Sequence, residues 1–331
     1  RTLLIPPEVS TETGSSSRTG MSGHQTVATR RELVYLLAPS YTGSTLLTFL
    51  LSNHKDIATI GELKATARGN LDTYRCSCGL LQRDCAFWQA VAAEMRKAHP
   101  SFTLDDFGTD FRAPGPIGRR LLRAGVRGQA LESLRGLMLH AWPGSRQRFD
   151  DILTRNQQLI EVICRLQNKT VFLDSSKDPI RLRLLHAAPF WRWKVIYLIR
   201  DGRGAANSYM RHYHTSMDVA AAEWCRTHGE CERVLGRLPK AAWMTVHYEQ
   251  LCTHPKDTLA AIHGFLGLDH RETVLQLRSS GHHILGNEMR LGSLEEITLD
   301  EKWKTALTPQ DLEVFEQRAG AWNRTYGYGT A

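Results

Sequence analysis

The sequence has few cysteines, no long apolar run and no internal repeat. Seven cysteines in 331 residues are too few for a disulfide-stapled scaffold. No stretch reaches the roughly 18 apolar residues that a membrane-spanning helix needs, so we expect no membrane span. With 42% hydrophobic and 23% charged residues, the chain is also unlike disordered, collagen-like or coiled-coil sequences. These absences leave a globular protein of one large domain or two small ones.

The first 30 residues are rich in Ser, Thr and Gly and show no hydrophobic periodicity. We predict a disordered leader over residues 1–30, with Met21 as a plausible native start. The apolar patch at residues 3–5 is too short for a signal peptide, and Pro6 and Pro7 follow it at once. We therefore expect a cytoplasmic protein.

The charge balance is basic, with 42 Lys and Arg against 34 Asp and Glu and a formal net charge of +8. Arginine outnumbers lysine, and its planar guanidinium fits the oxygens of sulfate and phosphate. Basic charge alone is compatible with an anionic ligand, a nucleic acid, a membrane surface or an ordinary basic background. No helix-turn-helix, zinc-finger or aromatic RNA-binding pattern is present, so we do not expect a nucleic-acid binder.

Short apolar runs alternate with helical patterns from residue 31 onward. The predicted strands are residues 33–38, 56–60, 170–174, 194–199 and 243–247. The predicted helices include residues 45–51, 87–98, 118–142, 149–167 and 255–266, and a helix that Pro179 opens. The alternation predicts an α/β protein with a central, mainly parallel sheet. We assign residues 31–331 to one domain, with a helical insertion at residues 118–168.

Ligands of such sheets bind where strands end and loops begin. Residues 38–47, APSYTGSTLL, follow the first predicted strand and lead into a helix, which is the arrangement of a backbone anion site. The segment is similar to a Walker A loop, but Ala38 replaces its first Gly and Ser44 replaces its lysine. A single phosphate with one transferable group would fit better than a magnesium triphosphate. An ordinary Ser/Thr helix cap is equally compatible with this segment.

Arg200 ends the fourth predicted strand, a glycine turn follows, and Ser208 lies two turns into the next helix. An arginine and a serine at these positions can converge on one phosphate. Together with the first loop, they indicate a nucleotide that carries phosphate groups at two separate places.

These two segments resemble the cofactor motifs of the PAPS-dependent sulfotransferase family, where PAPS is 3′-phosphoadenosine 5′-phosphosulfate. Residues 42–46, TGSTL, resemble its 5′-phosphosulfate loop, and Arg200 with Ser208 resembles its 3′-phosphate motif. The resemblance implies a P-loop-like three-layer fold, PAPS as cofactor, 3′,5′-adenosine bisphosphate as product and no required metal. The cofactor-binding residues that it implies are Tyr41, Thr42, Gly43, Ser44, Thr45, Leu46, Arg200, Ser208, Tyr248, Gly286, Asn287 and Arg290.

Further matches extend the resemblance over most of the chain. Residues 248–251, YEQL, resemble a Tyr-Glu-Asp-Leu segment whose tyrosine lies near the adenine. Residues 281–290 resemble the C-terminal part of bacterial members. By that resemblance, Gly286 and Asn287 close over the 3′-phosphate side and Arg290 adds a cation.

Glu62 follows the second predicted strand, and Lys177 follows the third. Their segments, residues 61–62 and 177–179, resemble the tyrosylprotein branch of the family. The resemblance implies that Glu62 is the catalytic base and Lys177 a catalytic cation. A helix cap at Glu62 and a solvated surface lysine at Lys177 are the structural alternatives. Asp174 either orients Lys177 or simply ends its strand.

The first loop departs from the family pattern at Tyr41, where related loops carry Lys or Arg. We expect Lys177, Lys64 or Arg68 to supply the missing cation; otherwise turnover is impaired. Four histidines are rival bases, namely His212, His214, His282 and His283.

Cys76, Cys78 and Cys85 lie together in a segment that resembles one in bacterial sulfotransferases. Three thiols can bind zinc with a fourth ligand such as His99, but no second C-x-x-C completes a site. We therefore interpret the segment as a structural or redox-sensitive loop and expect no metal.

The resemblance implies sulfuryl transfer to a hydroxyl of a small-molecule, carbohydrate or lipid acceptor, and tyrosine is also compatible. We expect the helical insertion to set acceptor specificity. Its arginines, which include Arg119, Arg120, Arg123, Arg127 and Arg135, either contact an acidic acceptor or form a solvated face. The alternatives to a sulfotransferase are a P-loop kinase or NTPase and a non-catalytic nucleotide-binding member of the family.

Overall fold

A computed structural model describes residues 31–66, 70–111, 118, 122, 125–141, 144–186, 188–271, 274–277, 283–286, 291–292 and 296–329. The predicted leader lies outside these residues. So do Arg68, Arg119, Arg120, Arg123, His282, Asn287 and Arg290. Within the described part of the chain, no helix has the length and apolar character needed to cross a membrane.

Five parallel strands form one sheet. The strands are β1 Arg31–Leu37, β2 Ile57–Thr59, β3 Val171–Lys177, β4 Trp191–Ile199 and β5 Trp243–His247. Their order across the sheet is β2-β3-β1-β4-β5, and every neighbouring pair is parallel. The predicted α/β class with a parallel central sheet is therefore confirmed.

Helices connect the strands and continue beyond β5. They are α1 Ser44–Ser52, α2 Ala86–Ala98, α3 Gln129–Ala141, α4 Ser145–Leu166, α5 Pro179–His186, α6 Gly202–Tyr213, α7 Met217–Leu235, α8 Tyr248–Thr253, α9 Pro255–Leu266, α10 Trp303–Ala306, α11 Pro309–Phe315 and α12 Ala321–Thr325. Short 3₁₀ turns occupy Leu63–Thr66, Gln82–Asp84 and Lys240–Ala242, and a π turn, Glu316–Gly320, joins α11 to α12.

The predicted helix over residues 118–142 is interrupted, because residues 125–128 are not helical and α3 begins only at Gln129. Glycines at both ends of this break, Gly125 and Gly128, weaken helix propagation. The Arg127 N–H donates to Oε1 of Glu132 at 2.8 Å, so a carboxylate in the first turn of α3 satisfies a donor just before the helix.

β1 is buried on both faces, as expected of a central parallel strand. Leu33, Tyr35 and Leu37 belong to the apolar core that α2, α4 and α5 cover. Val34 and Leu36 belong to the opposite core, beneath α1, α8 and α9. The alternation along one strand therefore builds both halves of a three-layer fold.

The strand order reverses direction at β1. The chain leaves β1 for β2 on one side of the sheet, whereas β4 pairs with β1 on the other side. In open α/β sheets, ligands bind at such a switch point, in the crevice outside the carboxyl ends of the strands. Here that crevice lies between the loop after β1 and Arg200, which follows β4.

Candidate functional site

The loop after β1 leads directly into α1. Gly43 precedes the helix in a left-handed conformation with φ of 83°, and no side chain caps α1 or places an acidic group in its first turn. The first N–H groups of α1 therefore have no side-chain acceptor, and the helix end attracts negative charge. Thr42 and Leu46 are buried, and the Thr42 hydroxyl donates to the Pro39 carbonyl at 2.9 Å.

Tyr248 forms one wall of this loop. A Cβ atom at Gly43 would lie 2.4 Å from Cδ2 of Tyr248, so the close approach of the ring requires glycine. The Tyr248 ring also contacts Arg200, whose Cζ lies 4.6 Å from the ring centroid. The Tyr248 hydroxyl accepts the Asp300 N–H at 3.2 Å, and burial is the main cause that raises the pKa of Tyr248 to about 12. Tyr248 is therefore neutral, and its ring packs against both Gly43 and Arg200.

Arg200 is buried and ties three segments together. Its Nη1 donates to the Tyr41 carbonyl at 3.0 Å, and its Nη2 donates to the carbonyl and Oδ2 of Asp300 at 2.8 and 3.2 Å. Burial acts against ionisation of Asp300, but the Lys302 N–H and the Arg200 charge lower its pKa overall. Asp300 is a site residue that the sequence did not reveal, because only the fold brings it to Arg200.

Ser208 lies on α6, one turn beyond Gly204. Its hydroxyl donates to the Gly204 carbonyl at 3.0 Å. A Cβ atom at Gly204 would lie 3.1 Å from Nε and Nη2 of Arg200, so the guanidinium rests against the first turn of α6. Arg200 thus contacts the first turn of α6 and Ser208 lies one turn further along it, and their hydrogen bonds lead to different partners.

The turn between β4 and α6 is held by distant parts of the chain. Glu249 accepts the Asp201 N–H at 3.0 Å through Oε1 and the Tyr328 hydroxyl at 2.5 Å through Oε2. Asn323 accepts the Gly202 N–H at 2.8 Å. The residues after Tyr248 and the C-terminal helix therefore fix the backbone that carries Arg200.

Tyr41 has a left-handed backbone, with φ of 65°. Its ring packs against α6, with centroids 6.0 Å from Tyr209, 5.6 Å from His212 and 6.4 Å from Tyr213. Burial raises the pKa of Tyr41, so its hydroxyl stays neutral. The residue that replaces the expected cation thus contributes a carbonyl to Arg200, while its ring joins an aromatic group on α6.

Glu62 and Lys177 meet at the ends of β2 and β3. Nζ of Lys177 lies 2.6 Å from Oε1 of Glu62, and both side chains are largely buried. Lys177 is also opposite Leu37 in the β1–β3 register, immediately before the loop that follows β1. The two predicted catalytic residues are therefore partners, and the lysine lies beside the predicted phosphosulfate loop.

A short segment, residues 284–286, closes the other side of Glu62. The Leu285 N–H donates to the Ile60 carbonyl at 2.7 Å, and the Glu62 N–H donates to the Leu285 carbonyl at 3.3 Å. Gly286 has φ of 117°, and a Cβ atom there would lie 2.8 Å from Cγ of Glu62. The segment extends the end of β2 and leaves little room around the carboxylate.

Asp174 is fully buried beneath this pair and does not orient Lys177 directly. Its Oδ1 accepts the hydroxyl and N–H of Ser176 at 2.5 and 2.9 Å and the Leu63 N–H at 3.3 Å. Its Oδ2 accepts Nε of Arg181 at 3.0 Å. Because Leu63 follows Glu62 and Ser176 precedes Lys177, Asp174 holds the backbones that carry both.

Arg181 continues the network into the helical layer. Its Nη1 donates to the Thr109 carbonyl at 2.9 Å, and its Nη2 donates to Oδ1 of Asn156 on α4 at 2.6 Å. The Asn156 amide also donates to the Thr109 carbonyl at 2.9 Å. All the polar groups of this buried ion pair therefore have partners, as a stable buried charge requires.

Lys64, His283 and His99 have polar partners other than Glu62, Lys177 and Arg200. Lys64 pairs with Asp178 at 3.5 Å. His283 lies beside the thiols of Cys76 and Cys85. The suggestion that His99 completes that cluster is wrong, because His99 shares a hydrogen bond with Gln158 on α4.

Comparison with known proteins places this geometry in context. The sequence profile of the Sulfotransferase family matches residues 35–272. No curated protein matches the chain significantly. Among solved structures, the sulfotransferase domain from the curacin biosynthetic pathway is similar, with a TM-score of 0.53 and 18% identity, covering 91% of this chain and 99% of that domain.

Two further structures are similar at a lower score. The sulfotransferase domain from the Synechococcus PCC 7002 olefin synthase has a TM-score of 0.47 and 17% identity, covering 91% of this chain and 95% of that one. A mouse sulfotransferase in complex with PAP has a TM-score of 0.40 and 12% identity, covering 89% of each chain.

At these identities, the curacin-pathway likeness supports the fold alone. The family match carries more weight, because it spans more than half of the chain. It includes the loop after β1, the Glu62–Lys177 pair and Arg200. The chain belongs to the sulfotransferase family.

Proposed function

We propose that the protein transfers a sulfuryl group from PAPS to a hydroxyl of its acceptor. The observation that carries this proposal is the hydrogen bond from Arg200 to the Tyr41 carbonyl. This bond joins the loop after β1, for which we propose a phosphosulfate, to the arginine that follows β4. Two adjacent anion sites suit a nucleotide with separate 5′ and 3′ groups.

The residues present fit such a nucleotide. The uncapped start of α1, with no acidic side chain in its first turn, suits a 5′-phosphosulfate. Arg200 would bind the 3′-phosphate in place of the Asp300 carboxylate, with Ser208 on the helix that follows it. Gly286, which was predicted for the same role, packs against Glu62 instead. Tyr248, fixed between Gly43 and Arg200, would pack against the adenosine. Asn287 and Arg290 remain predicted contributors to the 3′-phosphate side.

Glu62 would accept the proton of the acceptor hydroxyl as its oxygen attacks sulfur. The acceptor O–S bond forms while the S–O bond to the 5′-phosphate breaks, and the electron pair goes to the leaving phosphate oxygen. Lys177 would neutralise the charge that develops there, in the position that the family usually supplies from the loop. A positioned base of this kind contributes about 10²- to 10⁴-fold in rate. PAPS has no triphosphate, so we propose that the transfer itself needs no metal.

The two alternative functions, a P-loop kinase and a non-catalytic member of the family, would require different residues at these positions. A P-loop kinase needs a lysine where the buried Ser44 stands. A non-catalytic member would lack a cation at the leaving oxygen. We propose that Lys177, which is opposite Leu37 at the end of β1, supplies that cation. We propose a hydroxyl on a small molecule, carbohydrate or lipid as acceptor, with specificity set by the insertion around α3 and α4.

Calorimetric titration tests the donor class. We expect 3′,5′-adenosine bisphosphate to bind more tightly than 5′-AMP or Mg-ATP, and Arg200→Ala to abolish that preference. Arg318→Ala is the matched control, because its guanidinium pairs with Asp218 on an exposed surface. Equal binding of bisphosphate and 5′-AMP, or preferred binding of Mg-ATP, would overturn the proposal.

A further inference from the structure

Four metal-binding side chains converge beside the end of β2. Cys76, Cys78, Cys85 and His283 place their ligand atoms within 4.8 Å of one another. Sγ of Cys78 lies 3.7 Å from Sγ of Cys85, and Nδ1 of His283 lies 3.6 and 3.3 Å from Sγ of Cys76 and Cys85. None of the seven cysteines, all of which are described, forms a disulfide.

We propose that these four side chains bind a structural zinc ion. Tetrahedral zinc, with Zn–S near 2.3 Å and Zn–N near 2.0 Å, separates two sulfurs by about 3.8 Å and a sulfur from a nitrogen by about 3.6 Å. The observed separations match both values within a few tenths of an ångström. Three thiolates and one imidazole fill the coordination sphere, so the site is closed and non-catalytic.

The local backbone conformation brings the three cysteine sulfurs close together. Gly79, with φ of 90°, closes a tight turn in which its N–H donates to the Cys76 carbonyl at 2.9 Å. This turn brings Cys76 and Cys78 together. Cys85 immediately precedes the first residue of α2, so its sulfur lies at the N-terminal end of that helix. The positive end of a helix dipole favours the thiolate form that binds a metal.

The imidazole ligand is fixed by stacking. The His283 ring lies 4.4 Å from the Phe87 ring at an interplanar angle of 3°, so Nδ1 is held toward the thiols. A cavity of about 450 Å³ lies on the histidine side of the cluster, where Phe87, His283 and Ile284 form part of its lining.

From sequence alone, the three cysteines predict a metal-free structural or redox-sensitive loop, because no fourth ligand other than His99 is evident nearby. The fourth ligand in the structure is His283, which is 198 residues from Cys85 in sequence. Only the packing of the 283–286 segment against the cysteine turn completes the set.

The zinc would hold that segment in place. Hydrogen bonds between Ser77 and Ile284, at 2.8 and 3.2 Å, and from the Gly286 N–H to the Tyr74 hydroxyl at 3.0 Å, join the same two segments. Gly286 in turn packs on Glu62. The zinc would therefore not contact the reacting atoms. It would hold the segment at residues 283–286 that packs beside Glu62.

Metal analysis of the full chain, purified under reducing conditions, tests the proposal. We expect about one zinc per chain. Cys78→Ser should lose it, whereas Cys225→Ser, a change at another half-buried cysteine outside the cluster, should keep it. His283→Ala should lower zinc affinity at least tenfold, and His283→Cys should restore it by supplying a fourth thiolate. Metal-free protein that takes up no added zinc when reduced, or equal loss in Cys225→Ser, would overturn the proposal.

Measurements on the unchanged chain cover the case in which variants fail to fold. Replacing zinc with Co²⁺ should give the visible absorption of tetrahedral cobalt and a thiolate charge-transfer band. Chelation should then increase amide hydrogen exchange at residues 74–85 and 283–286, but not in α9. An octahedral cobalt spectrum, or exchange that chelation leaves unchanged, contradicts a structural thiolate site. These readouts do not depend on sulfuryl transfer, so they separate failure of the metal site from failure of the proposed function.

Discussion

Lys177 and Glu62 form an ion pair of 2.6 Å between the ends of two adjacent parallel strands. The pair brings a proton acceptor and a cation to one point beside the loop after β1. In the free protein each residue neutralises the other, so the acceptor hydroxyl must enter between groups that already share a hydrogen bond. Both residues are therefore expected to affect turnover more than nucleotide binding.

Replacing Glu62 with Gln should remove the proton acceptor and preserve the size of the side chain. We expect turnover to fall by about 10²- to 10⁴-fold. Affinity for 3′,5′-adenosine bisphosphate should change little, because Glu62 does not contact the two anion sites. Steady-state rates and calorimetry measure the two effects. Glu94→Gln, at an ion pair on α2, is the control, and activity within twofold of the wild type in Glu62→Gln would contradict the role.

Asp300→Asn should tighten binding of the bisphosphate. By the proposed function, the Asp300 carboxylate would compete with a 3′-phosphate for Nη2 of Arg200, while its backbone carbonyl would still orient the guanidinium after the change. Since partly exposed ion pairs are worth about 0.2–1 kcal/mol, the expected gain is about 1.4- to fivefold. Titration with 5′-AMP, which lacks the 3′-phosphate, should show no gain. A gain of the same size for both nucleotides would show that Asp300 does not act on the 3′ side.

Gly43→Ala should damage the anion loop specifically. The new Cβ would meet the Tyr248 ring at 2.4 Å in a backbone of positive φ. Gly144→Ala is a matched control, because Gly144 also has positive φ but nothing lies within 4 Å of its Cβ position. Each change costs about 1–2 kcal/mol in backbone strain. Only Gly43→Ala should also weaken nucleotide binding by more than tenfold, and equal affinities in the two variants would refute the close packing.

Asp174→Asn should destabilise the protein strongly. The change leaves the buried Arg181 guanidinium without its counter-charge, which costs about 3–5 kcal/mol. Denaturant unfolding measures the loss of free energy. Asp218→Asn, which breaks the exposed pair with Arg318, should cost less than about 1 kcal/mol. Similar losses in both variants would mean that the Asp174 network contributes no more than a surface pair.

Stability should fall on acidification because of buried His228. Burial lowers the pKa of His228 to about 3, and its Nδ1 shares a hydrogen bond with the Tyr197 hydroxyl, near Tyr326 and Glu232. Between pH 6.5, the ordinary imidazole value, and about 3, the unfolded chain binds a proton that the folded chain does not. The free energy of unfolding should therefore decrease as pH falls, by up to about 1.4 kcal/mol per pH unit.

Unfolding measured at a series of pH values tests the role of His228. His228→Gln should make the decrease less steep, whereas the exposed His254→Gln should leave it unchanged. A residual slope is expected from His263, because burial lowers its pKa to about 4. An identical slope in His228→Gln and the wild type would contradict the assignment.

The fold was largely predictable because its strands are short apolar runs and its helices begin at clear signals. β5 and α9 match the predicted bounds, and α9 begins at a proline in its favoured position. The break before α3 was missed, because Gly125 and Gly128 sit within an otherwise helical pattern. Local periodicity does not show whether isolated glycines stop a helix.

The site was predictable where residues end strands, because parallel strands bring their carboxyl ends to one edge. That rule pointed to Glu62, Lys177 and Arg200. It does not show which side chains from distant loops arrive there. Asp300 and His283 were therefore not assigned to their partners, and the direction of the Tyr41 ring depends on a left-handed backbone that the sequence alone does not specify.

The long-range hydrogen bonds that hold the turn between β4 and α6 have a consequence for biosynthesis. Gly202 and its partner Asn323 are separated by 121 residues, and Tyr328, which bonds Glu249, lies further still toward the C-terminus. At about 5–20 residues per second, translation supplies those partners several seconds after the turn itself is made. The central sheet can assemble on the ribosome before then, but the turn that presents Arg200 acquires its final support only when synthesis has passed Tyr328. The turn that presents Arg200 is therefore expected to be among the last parts of the fold to become fixed during synthesis.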